Sequence, residues 1–167
     1  MTPELHRPIA AERIGPEAQE FIVEATPAEC RLLAVRMNLP AIESLVCRFA
    51  LRREGGAMIH ATGTLLARVV QTCIVSLDDF AADVQEEFSV WFVPEGRESE
   101  EIDPEADDEI PYTGGVIDLG EAAAEQLGLA LDPYPRKPYA VMPEIEEAEE
   151  PHPFAALAAL RRGVGSA

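Results

Sequence analysis

Three long stretches of the chain alternate apolar and polar residues with a period of two. In residues 42–53 the odd positions Leu45, Cys47, Phe49 and Leu51 are apolar. In residues 57–71 the odd positions Ile59, Ala61, Leu65, Ala67 and Val69 repeat the pattern. In residues 80–93 it passes to the even positions Phe80, Ala82, Val84, Phe88, Val90 and Phe92. Successive side chains of a strand point to opposite faces, so the pattern predicts half-buried antiparallel strands resting on one core. At about 3.3 Å per residue, 12 residues extend roughly 40 Å. Strands that long must twist, which predicts a curled meander or partial barrel. Glu54-Gly55-Gly56 supplies the first hairpin turn, because glycine accepts positive φ.

The helical signals are of a different kind. A short strand over Gln19–Ala25 leads to Thr26, with Pro27 at the first helical position and Glu29 completing a Thr-x-x-Glu capping box. Cys30, Leu33, Ala34 and Met37 then recur at helical spacing, Asn38 suits a left-handed end cap and Pro40 stops the element. A second helix starts at Asp118, with Glu121 in the capping-box position and Leu119, Ala122, Ala123, Leu127, Ala130 and Leu131 on one face. Pro133, Pro135 and Pro138 end it and force an extended segment. Phe154–Leu160, followed by Arg161 and Arg162, reads as a short C-terminal helix over 154–162. The fold class is therefore α+β: a long-stranded curled antiparallel sheet packed with two main helices and a short terminal one.

Charge changes this picture in one respect. The net charge of -18 is unevenly spread. Residues 94–112 hold nine acids and one base, Arg97, and residues 140–153 hold five acids and no base. These proline-containing runs lack apolar periodicity, so they are expected to be a disordered acidic insert and an acidic linker around a single domain over 1–139. No apolar run approaches the roughly 20 residues of a membrane span. The first residues carry no signal core, which predicts a cytoplasmic protein. Three widely spaced cysteines, Cys30, Cys47 and Cys73, fit reduced thiols rather than a disulfide framework.

Candidate chemistry is sparse. There is no glycine-rich phosphate loop, no His-x-x-x-His pair, no nucleophile elbow and no Cys-x-x-Cys. His60 falls on the outward face of its strand, where a solvated surface role is expected, and general-base work there would need a partner the sequence does not reveal. Asp78 and Asp79 lie at a turn, and Cys73 with Ser76 has no identifiable base nearby. These features predict no enzyme, metal, cofactor or small-molecule substrate. Arg48 and Arg52 share the outward face of one strand and Arg68 that of its neighbour, while Arg136 and Lys137 sit beside Tyr134 and Tyr139. An arginine–aromatic surface can bind RNA through phosphate contacts and stacking. The mobile acidic runs would instead attract a basic protein.

The order of these features resembles the YceD family, the bacterial and plastid group of large ribosomal RNA subunit accumulation proteins. The likeness runs through the capped helix, the long-strand meander and the Cys73 corner with Leu77 and Phe80. It continues through the acidic insert to Asp118-Leu119, Glu125-Gln126-Leu127, Leu129-Ala130-Leu131 and Pro135-Arg136-Lys137-Pro138. It closes on Pro153-Phe154-Ala155-Ala156-Leu157. The family pattern often has Cys-x-Arg-Cys-Leu at the corner and further cysteines after the proline-ended helix. Here Val75 and Ser76 replace its arginine and second cysteine, and Tyr139 and Ala140 stand where a later cysteine falls. The resemblance implies a non-enzymatic factor for 23S rRNA accumulation and ribosome assembly. Its partner would be the large-subunit precursor, met either as rRNA or as a basic ribosomal protein. The alternatives are an interaction module unrelated to ribosomes and an rRNA-acting enzyme.

Overall fold

The computed structural model describes residues 2–141. Most of the acidic linker and the whole 154–162 segment lie outside the described residues. The elements in chain order are β1 Pro8–Ala10, a short 3-10 turn Ala11–Arg13, β2 Gln19–Glu24, α1 Pro27–Arg36, β3 Ala41–Gly55 and β4 Met58–Thr72. They continue with β5 Asp79–Pro94, β6 Asp108–Tyr112, β7 Val116–Asp118 and α2 Leu119–Ala130. The main sheet has the order β2-β3-β4-β5-β6, and β1 pairs with β7 in a second, two-stranded sheet.

The alternating runs behave as strand physics requires. Leu45, Cys47, Phe49, Leu51, Ile59, Ala61, Leu65 and Val69 are all buried on the inner face, and Val90 and Phe92 join them from β5. Phe80, Ala82, Val84 and Phe88 are only half-buried, so the cover thins toward the start of β5. Helix α1 packs mainly on β3, whereas α2 touches β1, β2, β4 and β5. Gly63 lies opposite both Phe49 and Phe88 in the ladder. A Cβ there would run into the Phe88 ring, so glycine is what lets the two rings meet edge-on at 5.6 Å.

The caps form as expected. Thr26 accepts from the Glu29 amide while the Glu29 carboxylate accepts from the Thr26 amide, and Asn38 sits in the left-handed region with φ of 54°. Asp118 caps α2 by accepting from the Gly120 and Glu121 amides. It also accepts from the Arg7 amide at 2.8 Å. The N-terminal segment is thereby stitched to α2, and Leu5 is fully buried beneath it. Arg53 completes the stitching: its guanidinium donates to the carbonyls of Ala11, Ile14 and Gly56.

The sheet is open, with β2 and β6 as its edges, in keeping with the curled meander expected. Two features depart from the sequence expectation. Within the run read as a disordered insert, Asp108–Tyr112 forms β6 and pairs parallel to Val90–Pro94. Ile110 and Tyr112 supply the apolar contacts for it, and the Tyr112 hydroxyl donates to the Ala57 carbonyl. Pro111 is tolerated because an edge strand can leave one main-chain donor position unused. The second departure is β1 with β7, two strands of three residues each, too short to show any period.

Candidate functional site

The arginine surface comes first. Arg48 faces Thr64 across the β3–β4 ladder, Arg52 faces His60, and Arg68 faces Ser44. Arg68 thus lies level with position 44, four residues from Arg48 in one direction, and Arg52 lies four residues away in the other. At strand rise each step is about 13 Å. That exceeds the ~8 Å over which exposed charges act at physiological salt. Arg68 is held by Glu43 at 2.9 Å and Asp83 at 2.8 Å, and Arg52 is ion-paired with Glu54. Arg48 has no ion pair among the described residues and lines an open groove of about 610 Å³ across β2–β5, flanked by Glu20 and Glu87.

The second basic spot is drawn into the Cys73 corner. The corner is closed by the Cys73 amide donating to Asp78 O at 2.8 Å and the Leu77 amide donating to Cys73 O at 2.9 Å. The segment after α2 docks on it: the Ile74 amide donates to Pro135 O at 2.9 Å, and the Lys137 ammonium pairs with Asp78. The Cys73 sulfur accepts from the amides of Ser76 at 3.5 Å and Lys137 at 3.4 Å. Burial pushes this thiol up, but the Ser76 hydroxyl and the surrounding amides pull harder the other way, leaving it at about 6. Lys137 is therefore committed to holding the corner. Tyr134 remains exposed, and Arg136 lines an open pocket together with Asp83 and Glu86.

The donors at the corner do not suit zinc, which takes about four sulfur, nitrogen or carboxylate ligands. Ser76 is a poor ligand, and no group of three or more His, Cys, Asp or Glu side chains is placed to hold a metal among the described residues. Cys30 and Cys47 are buried in the hydrophobic core, and burial pushes Cys47 up to about 12.

The acidic flank is the third region. Glu95, Glu98, Glu100, Glu101, Asp103, Glu105, Asp107, Asp108 and Glu109 all belong to the stretch from the end of β5 into β6, and all are exposed or half-exposed. Asp79, Asp83 and Glu87 extend the same charge along the outward face of β5. Arg97 is the one base in the insert and makes no ion pair among the described residues.

His60 is not the free surface residue expected. Its Nε2 lies 2.8 Å from Ser89 Oγ and 3.3 Å from Asp107 Oδ2, its ring packs on Trp91 at 4.6 Å, and Ser89 Oγ donates to Asp107 at 2.7 Å. These residue types suggest a Ser-His-Asp hydrolase, but the connectivity differs. In a triad the serine and the aspartate bind opposite nitrogens of the imidazole. Here both meet Nε2, and the single hydroxyl proton is spent on the carboxylate, so Nε2 must be a donor and cannot activate the serine. The sequence offered no signal for this cluster, since Asp107 is 47 positions from His60.

No helix of the described residues is long and apolar enough to cross a membrane. Among curated proteins and among solved structures no match is found. A family model does match over residues 61–161, well over half of the chain; it describes the large ribosomal RNA subunit accumulation protein YceD. The matched stretch runs from β4 through the Cys73 corner, the acidic flank and α2, and the chain belongs to the YceD family.

Proposed function

We propose that this protein supports accumulation of large-subunit ribosomal RNA by holding a basic ribosomal protein, without catalysing a reaction. The family name carries the rRNA link. The observation that favours a protein partner over RNA is the distribution of charge. Arg52, Arg68 and Lys137 are each neutralised by carboxylates, whereas the flank from Glu95 to Glu109 carries its acids with little compensation. A polyanionic surface repels phosphate and attracts a lysine-rich chain, speeding encounter by long-range steering. Such work belongs in the cytoplasm, where the subunit precursor is assembled.

A pull-down treated with ribonuclease tests this. Retention of large-subunit proteins is the expected result; their loss would transfer the reading to direct rRNA contact through Arg48 and the Tyr134–Arg136 segment. A double variant, Arg48→Glu/Arg52→Glu, separates the two further. It leaves rRNA levels unchanged if the acidic flank is the working surface and lowers them if the arginine face is. A normal large-subunit peak in a sucrose gradient after deletion would remove the ribosomal role altogether.

A further inference from the structure

We propose that His60 and Ser89 are positioning residues: by gripping Asp107 they seat the acidic insert on the outer face of β4 and β5 and fix the anionic flank in one place for its basic partner. The inference rests on the reading of that flank as a binding surface.

The geometry carries the argument. Asp107 is the last residue before β6, which begins at Asp108 opposite Val90. The grip therefore sits where the insert returns to the sheet. Ser89 and His60 come from neighbouring strands, with Ser89 in register with Thr62 and His60 with Trp91. The Trp91 ring against the imidazole restricts its rotamer, so Nε2 is aimed before the aspartate arrives. With Ser89 donating to Asp107, His60 donates to Ser89 and, at longer range, to the same carboxylate oxygen. The Asp107 carboxyl is held below its ordinary range by the Ser89 hydroxyl first and His60 second, which keeps it ionised and a strong acceptor. Arg52 stands opposite His60 on β3 and is occupied by Glu54, leaving Asp107 to the clasp.

β6 needs such an anchor. It has five residues, a proline and two adjacent acids, Asp108 and Glu109. Self-repulsion from the insert pulls outward on it. Its other attachments are the parallel ladder, the side chains of Ile110 and Tyr112, the Tyr112 hydroxyl on Ala57, the Glu95 amide on the Tyr112 carbonyl, and the Ser99 amide on the Glu109 carboxylate, which ties β6 only to the insert itself. Without the clasp the strand frays from its N-terminal end, and the acids that precede it trail in solvent.

The test uses the full chain and three variants, His60→Ala, Ser89→Ala and His60→Gln, the last keeping an N–H donor near Nε2. Amide hydrogen exchange of Asp108, Glu109 and Ile110, together with fluorescence of Trp91, reads the clasp; titration with polylysine reads the flank. In the two alanine variants exchange is expected to be about tenfold faster, the loss of roughly one net hydrogen bond. Polylysine affinity should fall about threefold to tenfold, and His60→Gln should restore most of both. Ser89→Ala, the smaller change, serves if His60→Ala perturbs the sheet. Unchanged exchange, or faster exchange with unchanged polylysine affinity, overturns the proposal. Wild-type protein that ignores polylysine overturns the partner reading itself, and the exchange data alone then decide whether the clasp exists.

Discussion

The two sides of this sheet treat charge in opposite ways. On the α1 side the arginines Arg7 and Arg36 are each answered by carboxylates. Arg7 donates to both oxygens of Glu29 at 2.8 and 2.9 Å, and Arg36 bridges Glu121 at 2.7 and 2.9 Å and Glu4 at 3.0 Å. These pairs tie the N-terminal segment, α1 and α2 into one body. On the β5–β6 side acids follow one another with Arg97 alone among them. Compensation is found where segments distant in sequence pack together, and it stops where the chain reaches into solvent. The nine acids and single base of residues 94–112 make this flank the largest block of the net charge of -18, and it speaks to association rather than to the fold.

That contrast can be broken most forcefully on the packed side. A Cβ added at Gly120 would lie 2.6 Å from the Leu5 carbonyl oxygen, part of the backbone that runs beneath the start of α2. Gly120→Ala should cost about 2–3 kcal/mol, as overpacked sites do, and thermal unfolding would register it. No loss of Tm would mean that the N-terminal segment is not docked as described.

A change of pH probes the same side with less force. The Arg7 guanidinium, opposed by burial and assisted by the Thr26 amide, lowers the Glu29 carboxyl to about 2. A depressed acid stabilises the fold above its ordinary range and loses that contribution as pH falls toward 2. Unfolding midpoints in denaturant should thus drop as pH is lowered from 4.5 toward 2. In Glu29→Gln, which keeps a capping-box acceptor, this part of the slope should flatten. An unaltered slope would assign the acid sensitivity to other carboxylates.

The three thiols offer a spectroscopic version of the comparison between compensated and uncompensated burial. Cys47 is buried without donors and is pushed up to about 12, while Cys73 is buried among amides and lies at about 6. Thiolate ultraviolet absorbance should show one titration near pH 6, absent in Cys73→Ala. Because the folded value is depressed, the contribution to stability grows as pH rises from about 6 toward the ordinary thiol range. A titration that survives in Cys73→Ala would contradict the amide cradle.

The smallest effect on stability is expected on the flank. Replacing Glu98, Glu100, Glu101, Asp103 and Glu105 by their amides should change unfolding free energy by no more than about 0.5 kcal/mol, as for surface sites in general. The same variant should lose most of its salt-sensitive polylysine binding. A large stability change would show that these acids take part in the folded body.

Much of this could be read along the chain because local rules governed it. The alternation in β3 and β4 placed Leu45 through Val69 on the inner face, and the Thr26–Glu29 box and Asp118 marked helix starts that then formed. The corner at Cys73 was visible, but its grip on the Pro135–Lys137 segment was not. β6 escaped notice because Ile110 and Tyr112 are too few to display a period, and because its parallel partner lies across the whole insert. The arginines were placed on the correct face; which of them carboxylates would neutralise depended on strand register and on Asp83 from a third strand.

By itself, the order of residues determined the long strands, the helix caps, the hairpin turn and the concentration of acid in two runs, since each follows from spacing within a few positions. Tertiary structure alone decided that β6 would join the sheet, that His60, Ser89 and Asp107 would meet, and that backbone amides would surround Cys73. Those outcomes require groups 18 to 64 positions apart to arrive together. Such meetings are governed by register and packing across the whole domain, and no window along the chain contains that information.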